Sequence, residues 1–275
     1  MTSDSVITTL NYTVDNNIPH NHFFYEPNGD DKHISNPAGT DSQQVEVFNG
    51  WGDVKNFHVD KEGFELRPFS GSFVEFDNDT LVTTVFYQQV IDFIKSCTGA
   101  KRVEVFDHTI RRRMRDPGNL AEQTTTQRPA VQMVHCDYTA DSGPQRVRDL
   151  MHGEANALLS RRVAFFNLWK PLYETVEELP LAMCDVQSCK PDDLLRTHLL
   201  YEDRQGEVYT MRYQPNHRWI YFPNMTTTQA LILKTYDSET DGRARFMAHS
   251  AFEDPNTPSN PKPRESIEVR TMAFF

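Results

Sequence analysis

Short strand-like runs, most of them closed by a turn signal, dominate the chain from residue 102 onward. They cover residues 102–106, 130–139, 163–169, 207–213, 219–222, 243–249 and 266–274. Val, Ile, Phe, Tyr and Thr recur in them, the residue types that fit a pleated, half-buried surface. Gln205-Gly206, Pro215-Asn216 and Asp241-Gly242 mark the turns between several of them. Many short strands with few covering helices point to a β-sandwich or jelly roll, and away from a βαβ parallel sheet. Two segments carry helical spacing. Residues 81–97 place Leu81, Val82, Val85, Phe86, Ile91, Phe93 and Ile94 at mostly helical intervals, with Asp79 as a cap and Gly99 as a stop. Residues 144–161 align Val147, Leu150, Met151, Leu158 and Leu159 on one stripe, with Ser142 as a cap and Pro144 in the first turn. Residues 1–45, rich in Asn, Asp, Pro and Ser, read as an irregular arm. The expected organisation is one domain over residues 1–275, mostly β with flanking helices. Its irregular N-terminal arm and substrate-side segment span 1–75, and its jelly-roll core spans 100–275.

Composition narrows the function classes. The chain has 28 Lys and Arg against 39 Asp and Glu, a formal charge of −11. An acidic chain lacks the positive field that nucleic acid or an anionic membrane needs, so neither is expected as a partner. No stretch of 18 apolar residues is present, and Met1–Tyr12 lacks a basic run followed by an apolar one. Cys97, Cys136, Cys184 and Cys189 form no C-x-x-C pair. A chain this long needs no disulfide staples, so a reducing, cytoplasmic location is expected. The sequons at Asn11, Asn78 and Asn224 are then silent.

Several familiar chemistries are absent. The chain contains no G-x-S-x-G, no P-loop and no G-x-G-x-x-G. A calcium-like run through Asp237, Glu239, Asp241 and Gly242 fails at its twelfth position, which is Ala248. The basic run Arg111, Arg112, Arg113 and Arg115 reads first as a solvated strand end, with an anion-contacting role as the alternative. The His20-x-His22 pair in the polar arm is not expected to bind metal.

The chemistry-bearing stretch is Val131 to Thr139, which contains His135-Cys136-Asp137. On a strand, His135 and Asp137 would share a face, roughly 6.6 Å apart. Cys136 would point the other way, as a small buried residue. An H-x-D pair with a distant His is the pattern of a facial triad for non-haem Fe(II), which leaves metal positions open. His249, at the end of the run 243–249, is the expected third ligand. Fifteen residues later comes Arg264-Glu265-Ser266, across a loop stiffened by Pro255, Pro258, Pro261 and Pro263. An Arg can hold a carboxylate bidentately and a Ser hydroxyl can add a hydrogen bond. That order suits a 2-oxoglutarate site, where the co-substrate chelates iron at one end and is gripped at the other. In the last strand Arg264, Ser266, Glu268, Arg270 and Met272 share one face, and Ile267, Val269 and Ala273 share the other. If the apolar face packs under helices, the polar face looks into a barrel.

Longer motifs carry a resemblance. They are His135-Cys136-Asp137-Tyr138-Thr139, Asn167-Leu168-Trp169-Lys170-Pro171-Leu172, Pro180-Leu181-Ala182-Met183-Cys184-Asp185, Lys234-Thr235-Tyr236-Asp237-Ser238, and the stretch from Ala244-Arg245-Phe246 through His249 to Arg264-Glu265-Ser266 and Arg270. With these motifs the chain resembles the fungal and bacterial hydroxylase/desaturase group of Fe(II)/2-oxoglutarate oxygenases, the AsaB-like or CmcJ-like proteins, from about residue 103 to 275. The resemblance implies a double-stranded β-helix core, cupin-like, and small-molecule substrates in specialised metabolism.

The expected roles follow. His135, Asp137 and His249 bind Fe(II), Arg264 and Ser266 hold the distal carboxylate of 2-oxoglutarate, and O₂ completes the set. Thr139, Asn167 and Arg270 orient ligands or co-substrate. Trp169, Tyr236 and Arg245 are candidates for the substrate side. A cupin-like hydrolase, isomerase or lyase would keep the triad but have no need of the Arg264/Ser266 clamp.

Overall fold

The structure is a computed structural model and describes residues 4–16, 20–23, 39–112, 127–202 and 205–275. Arg113 and Arg115 lie outside these residues. Numbered in chain order, the larger sheet contains β1 (Ser5–Thr13), β2 (His20–Phe23), β3 (Thr40–Asn49), β7 (His135–Cys136), β9 (Leu181–Cys184), β10 (Leu194–Leu200), β11 (Gln205–Met211), β12 (Trp219–Tyr221) and β14 (His249–Ala251). The smaller sheet contains β4 (Phe64–Pro68), β5 (Arg102–Arg111), β6 (Gln127–Arg128), β8 (Val163–Pro171), β13 (Gln229–Asp237) and β15 (Ser266–Phe274). Their spatial orders are β1-β3-β12-β9-β14-β7-β11-β10-β2 and β4-β13-β8-β15-β5-β6. The two sheets pack face to face around Trp169, Leu231 and Leu233 from one side and Met183 and Ile220 from the other. This is the jelly-roll architecture that the strand spacing predicts.

The expectation of an irregular arm over residues 1–45 is overturned for residues 5–13, 20–23 and 40–45, which are strand, while residues 1–3, 17–19 and 24–38 lie outside the described residues. β1 pairs antiparallel with β3 over nine residues, from Ser5↔Phe48 to Thr13↔Thr40. Asn11 then bridges Met133, and the Val134 amide donates to the Asn11 carbonyl at 2.9 Å. The larger sheet therefore curls back on itself. Leu10, Tyr12, Val47, Cys136, Cys184 and Trp219 fill the inside of that curl. β1 turns Val6, Thr8, Leu10 and Tyr12 inward and Ser5, Ile7, Thr9 and Asn11 outward, an ordinary half-buried strand. Its partners lie far away in sequence, so local composition hides it.

Two expected strands are shorter than their runs. Of residues 130–139 only His135–Cys136 joins the ladder, and residues 244–248 are irregular, with β14 starting at His249.

The helices sit where their periodicity places them, with shifted ends. α1 (Asp79–Leu81), a π-helical turn (Val82–Phe86) and α2 (Tyr87–Thr98) form one continuous helical run. Asn78, not Asp79, is the cap: its side chain accepts from the Leu81 amide. Gly99 stops the run in the left-handed region at φ 73°. Val82, Phe86, Val90 and Ile94 pack on Ile267, Val269 and Ala273, the apolar face of β15. The expected helix 144–161 is α3 (Ser142–Met151), a 3₁₀ turn and α4 (Ala155–Leu159), broken at His152 with φ 44°. Thr139, rather than Ser142 alone, holds its start. The Thr139 Oγ1 accepts from the Ser142 amide at 3.0 Å, and the Ser142 Oγ accepts from the Thr139 amide at 2.8 Å. Gly143 lets α3 lie against Tyr236, where a Cβ would meet the ring at 2.5 Å.

Leu10→Ala tests the ring-closing role of β1. A loose arm would lose nothing, but a buried Leu in this strand costs about 2–5 kcal/mol. Chemical denaturation of the full chain reads the difference.

Candidate active site

The candidate site lies between the sheets. His249 is the cross-strand partner of both His135 and Met183, so all three side chains point to the inter-sheet space. Asp137 sits in the bend immediately after β7. One ligand atom from each of His135, Asp137 and His249 lies within 4.8 Å of the others. Asp137 Oδ1 is 3.6 Å from His135 Nε2 and 3.9 Å from His249 Nε2. The His135 Nδ1 lies 2.7 Å from the Met133 carbonyl, and the His249 Nδ1 lies 3.5 Å from the Met247 carbonyl. Donation from Nδ1 leaves both Nε2 lone pairs free to face the same point. Burial, and then the neighbouring His249, lower the pKa of His135 to about 4. The imidazole is thus kept neutral, as a metal ligand must be.

The smaller sheet supplies what surrounds this trio. On β8 and β15, Asn167 opposes Arg270, Trp169 opposes Glu268, and Pro171 opposes Ser266. The Asn167 amide donates to Asp137 Oδ2 at 2.5 Å and to Glu268 Oε1 at 2.9 Å. Glu268 is buried, which opposes ionisation, but Arg270, Arg111 and His249 outweigh this and lower its pKa to about 2. Arg270 reaches Glu268, Asp107 and Thr109, each at 3.0 Å. Its charge is therefore already answered.

Arg264 is different. It is 5% exposed, and its polar side-chain contacts are neutral: Ser266 Oγ, 3.1 Å from Nε, and the Leu179 carbonyl, 2.5 Å from Nη1. Its guanidinium lies over the Trp169 ring, 5.2 Å from the centroid. Burial, and then Arg111, lower its pKa to about 9. A buried cation with neutral partners is costly, and a carboxylate is the natural group to offset it. Asn167 Oδ1 and Trp169 Nε1 are buried without a hydrogen-bond partner among the described residues. The site thus offers two imidazoles and a carboxylate at one end and a guanidinium with a hydroxyl at the other. That donor set fits Fe(II) and a dicarboxylate.

Of the residues expected at the site, His135, Asp137, His249, Asn167, Trp169, Arg264, Ser266 and Arg270 converge here. Three do not. Thr139 starts α3 and donates its hydroxyl to Glu207. Tyr236 packs in the apolar cluster under α3 with Phe165 and Val147. The Arg245 Nε donates to the Asp237 carbonyl at 2.9 Å, and its guanidinium lies over Phe246.

Two residues were missed. Glu268 shares the polar face of β15, and its pairing with Arg270 is foreshadowed by their alternation. Arg111 belongs to the run expected to be a solvated strand end. Its side chain is 12% exposed and points to Glu268 at 3.7 Å. Arg112 pairs with Asp77 at 2.7 Å and Glu265 at 3.4 Å. Strand phase on β5, next to β15, is the signal that could have found Arg111. Lys170 is turned away, over the rings of Phe69 and Phe76 on the opposite face, where burial lowers its pKa to about 8.

The irregular residues 244–248 need another support, because they precede His249 without a ladder. A buried charge network provides it. The Lys234 ammonium, fully buried, contacts Asp60 and lies 2.9 Å from Asp237 Oδ2. Arg162 reaches the same two carboxylates at 3.1 and 2.8 Å. The Ala244 amide donates to the Asp60 carbonyl at 2.8 Å, and the Met247 amide to the Lys234 carbonyl at 3.1 Å. Charge pairing thus takes the place of strand pairing just before His249.

A family model described as an oxidoreductase/YMDC permease-like domain matches residues 10–274. No helix among the described residues is long and apolar enough to cross a membrane. The hydroxylase/desaturase efuI of Hormonema carpetanum is 33% identical over 253 residues, which is 85% of this chain and 84% of that protein. The Fe(II)/2-oxoglutarate-dependent dioxygenase nvfI of Aspergillus novofumigatus is 30% identical over 228 residues, 78% of this chain and 79% of that protein. A solved structure of the iron and alpha-ketoglutarate-dependent endoperoxidase NvfI superposes with a TM-score of 0.86 at 24% identity, covering 98% of each chain. At that identity the superposition speaks for the fold.

Lys234→Met leaves the buried Asp237 with only part of its charge offset. It should cost about 3–5 kcal/mol in denaturant unfolding, whereas Lys234→Arg should retain much of that stability.

Proposed function

Because the chain belongs to the hydroxylase/desaturase family of Fe(II)/2-oxoglutarate-dependent oxygenases, we propose that it oxidises an unactivated C–H bond of a small molecule in specialised metabolism. The outcome would be hydroxylation, desaturation or oxidative ring closure. One observation carries the assignment of the site: the His135, Asp137 and His249 ligand atoms converge between the sheets, and the buried Arg264 guanidinium lies in the same inter-sheet space, over Trp169. His135, Asp137 and His249 would hold Fe(II). Arg264 and Ser266 would hold the distal carboxylate of 2-oxoglutarate. Bound iron supplies the oxidising chemistry with O₂ while 2-oxoglutarate is decarboxylated to succinate.

The protein's own part is positioning. Asn167 fixes the free oxygen of Asp137, so the other oxygen faces the two imidazoles. Glu268, held ionised by Arg270 and Arg111, keeps the Asn167 amide turned in its donating direction. The indole of Trp169 forms an apolar floor under Arg264 and excludes water from its face. Arg270, already paired with Asp107 and Glu268, orients neighbours instead of gripping the co-substrate. All four cysteines are free thiols, in keeping with a reducing, cytoplasmic setting that also suits a ferrous site.

Asp137→Ala should abolish substrate-stimulated succinate release, and unchanged turnover would remove Asp137 from the metal site. Arg264→Ala should raise the 2-oxoglutarate KM at least about 30-fold, the equivalent of about 2 kcal/mol from a truncated buried charge partner. An unaltered KM would assign the carboxylate grip to Arg270 or another donor instead of Arg264.

A further inference from the structure

The curled part of the larger sheet contains a thiol pair that the proposed oxygenase chemistry does not use. Cys184 ends β9, and Cys189 follows a 3₁₀ turn at Val186–Ser188. Their Sγ atoms are 3.4 Å apart, in van der Waals contact. The turn between them is tightly built. Asp185 accepts from the Gln187 amide at 3.0 Å, the Ser188 hydroxyl donates to the Asp185 carbonyl at 2.6 Å, and the Cys189 amide donates to the Val186 carbonyl at 3.1 Å. These bonds fix the loop that would close a ring between the two sulfurs. The residues differ in access: Cys184 is buried and Cys189 is half-buried. Cys136 packs in the same apolar cluster, and Cys97 lies apart on α2 against Ser96.

We propose that Cys184 and Cys189 are a dithiol site that a peroxide oxidises reversibly to an intramolecular disulfide. A disulfide needs the sulfurs at about 2.05 Å, so the observed contact requires only a small approach. The half-buried Cys189 meets the oxidant first. Its thiolate sulfur attacks one peroxide oxygen, the O–O bond breaks, and a sulfenic acid and hydroxide form. The Cys184 sulfur then attacks the sulfenic sulfur, forming the S–S bond and expelling hydroxide. The two thiol protons neutralise the two hydroxides. Two thiols thus lose two electrons and two protons, and the peroxide is reduced to two waters. Cys184 is buried with its sulfur against that of Cys189, so its place is to resolve the sulfenic acid and not to meet the oxidant. The site is close to the proposed iron ligands, because the Cys184 amide donates to the carbonyl of Ala248 at 2.8 Å, one residue before His249.

The test is thiol mapping of the full chain, purified under reducing conditions and then exposed to hydrogen peroxide or to diamide. No Lys or Arg separates Cys184 from Cys189, so both fall in one tryptic peptide. That peptide should lose the mass of two hydrogens, regain it with dithiothreitol, and leave Cys97 and Cys136 alkylatable. Cys189→Ser should abolish the loss, and Cys184→Ser should leave Cys189 as a sulfenic acid trapped by dimedone. Cys184 is buried, so the Cys189→Ser arm decides the matter if Cys184→Ser misfolds. Four titratable thiols after oxidation, or a bond made by Cys97 or Cys136, would overturn the proposal. None of these readouts depends on iron or on turnover, so failure here leaves the oxygenase reading untouched.

Discussion

The side-chain amide of Asn167 joins the two sheets at the place where both carry functional groups. It donates at once to Asp137, just beyond β7, and to Glu268 on β15. Neither carboxylate could sit there alone. Asp137 faces two imidazoles, and Glu268 is buried between Arg270 and Arg111. A hydrogen-bonded chain of carboxylate, amide, carboxylate and guanidinium ties each member to the next, which is how buried polar groups are tolerated, and leaves the Asn167 Oδ1 acceptor open toward the site. The rest of the architecture brings β8 and β15 under β7 and β14 so that this chain can close.

Charge organisation follows the same logic. The chain is acidic overall, at −11, yet the groups around the site are sorted by partner. Arg270, Arg111 and Lys234 face carboxylates, whereas among the described residues the Arg264 guanidinium hydrogen-bonds a hydroxyl and a carbonyl. Net charge therefore describes the outer surface and says little about the interior. The interior contrast between Arg264, just before β15, and Arg270, within it, separates a guanidinium that receives a ligand from one that braces the protein.

Much of this was legible in the sequence where the cause is local. The alternation of Ser266, Glu268 and Arg270 with Ile267 and Val269 foretells a strand with one face under α2 and the other in the site, because strand side chains repeat every two residues. His135-x-Asp137 and a distant His249 foretell the trio, although Asp137 reaches it from the bend after β7 and not from the strand. What escaped was set by long-range partners. β1 becomes a strand through Thr40–Asn49 and through Met133, more than a hundred residues away. Residues 244–248 look like a strand yet are held by Asp60 and Lys234 instead of a ladder. Tyr236 and Thr139 stand in promising motifs, but packing under α3 and the start of that helix claim them. Arg111 was hidden in a basic run whose phase only the register with β15 reveals.

The central claim is that three protein ligands and a buried guanidinium form one site for ferrous iron and 2-oxoglutarate. Anaerobic titration of the full chain with Fe(II) and then 2-oxoglutarate tests it most directly. The expected result is a visible charge-transfer absorption band that needs both additions. Arg264→Ala should require far more 2-oxoglutarate to produce it. A flat spectrum with both present, or a band indifferent to Asp137→Ala, would contradict the claim.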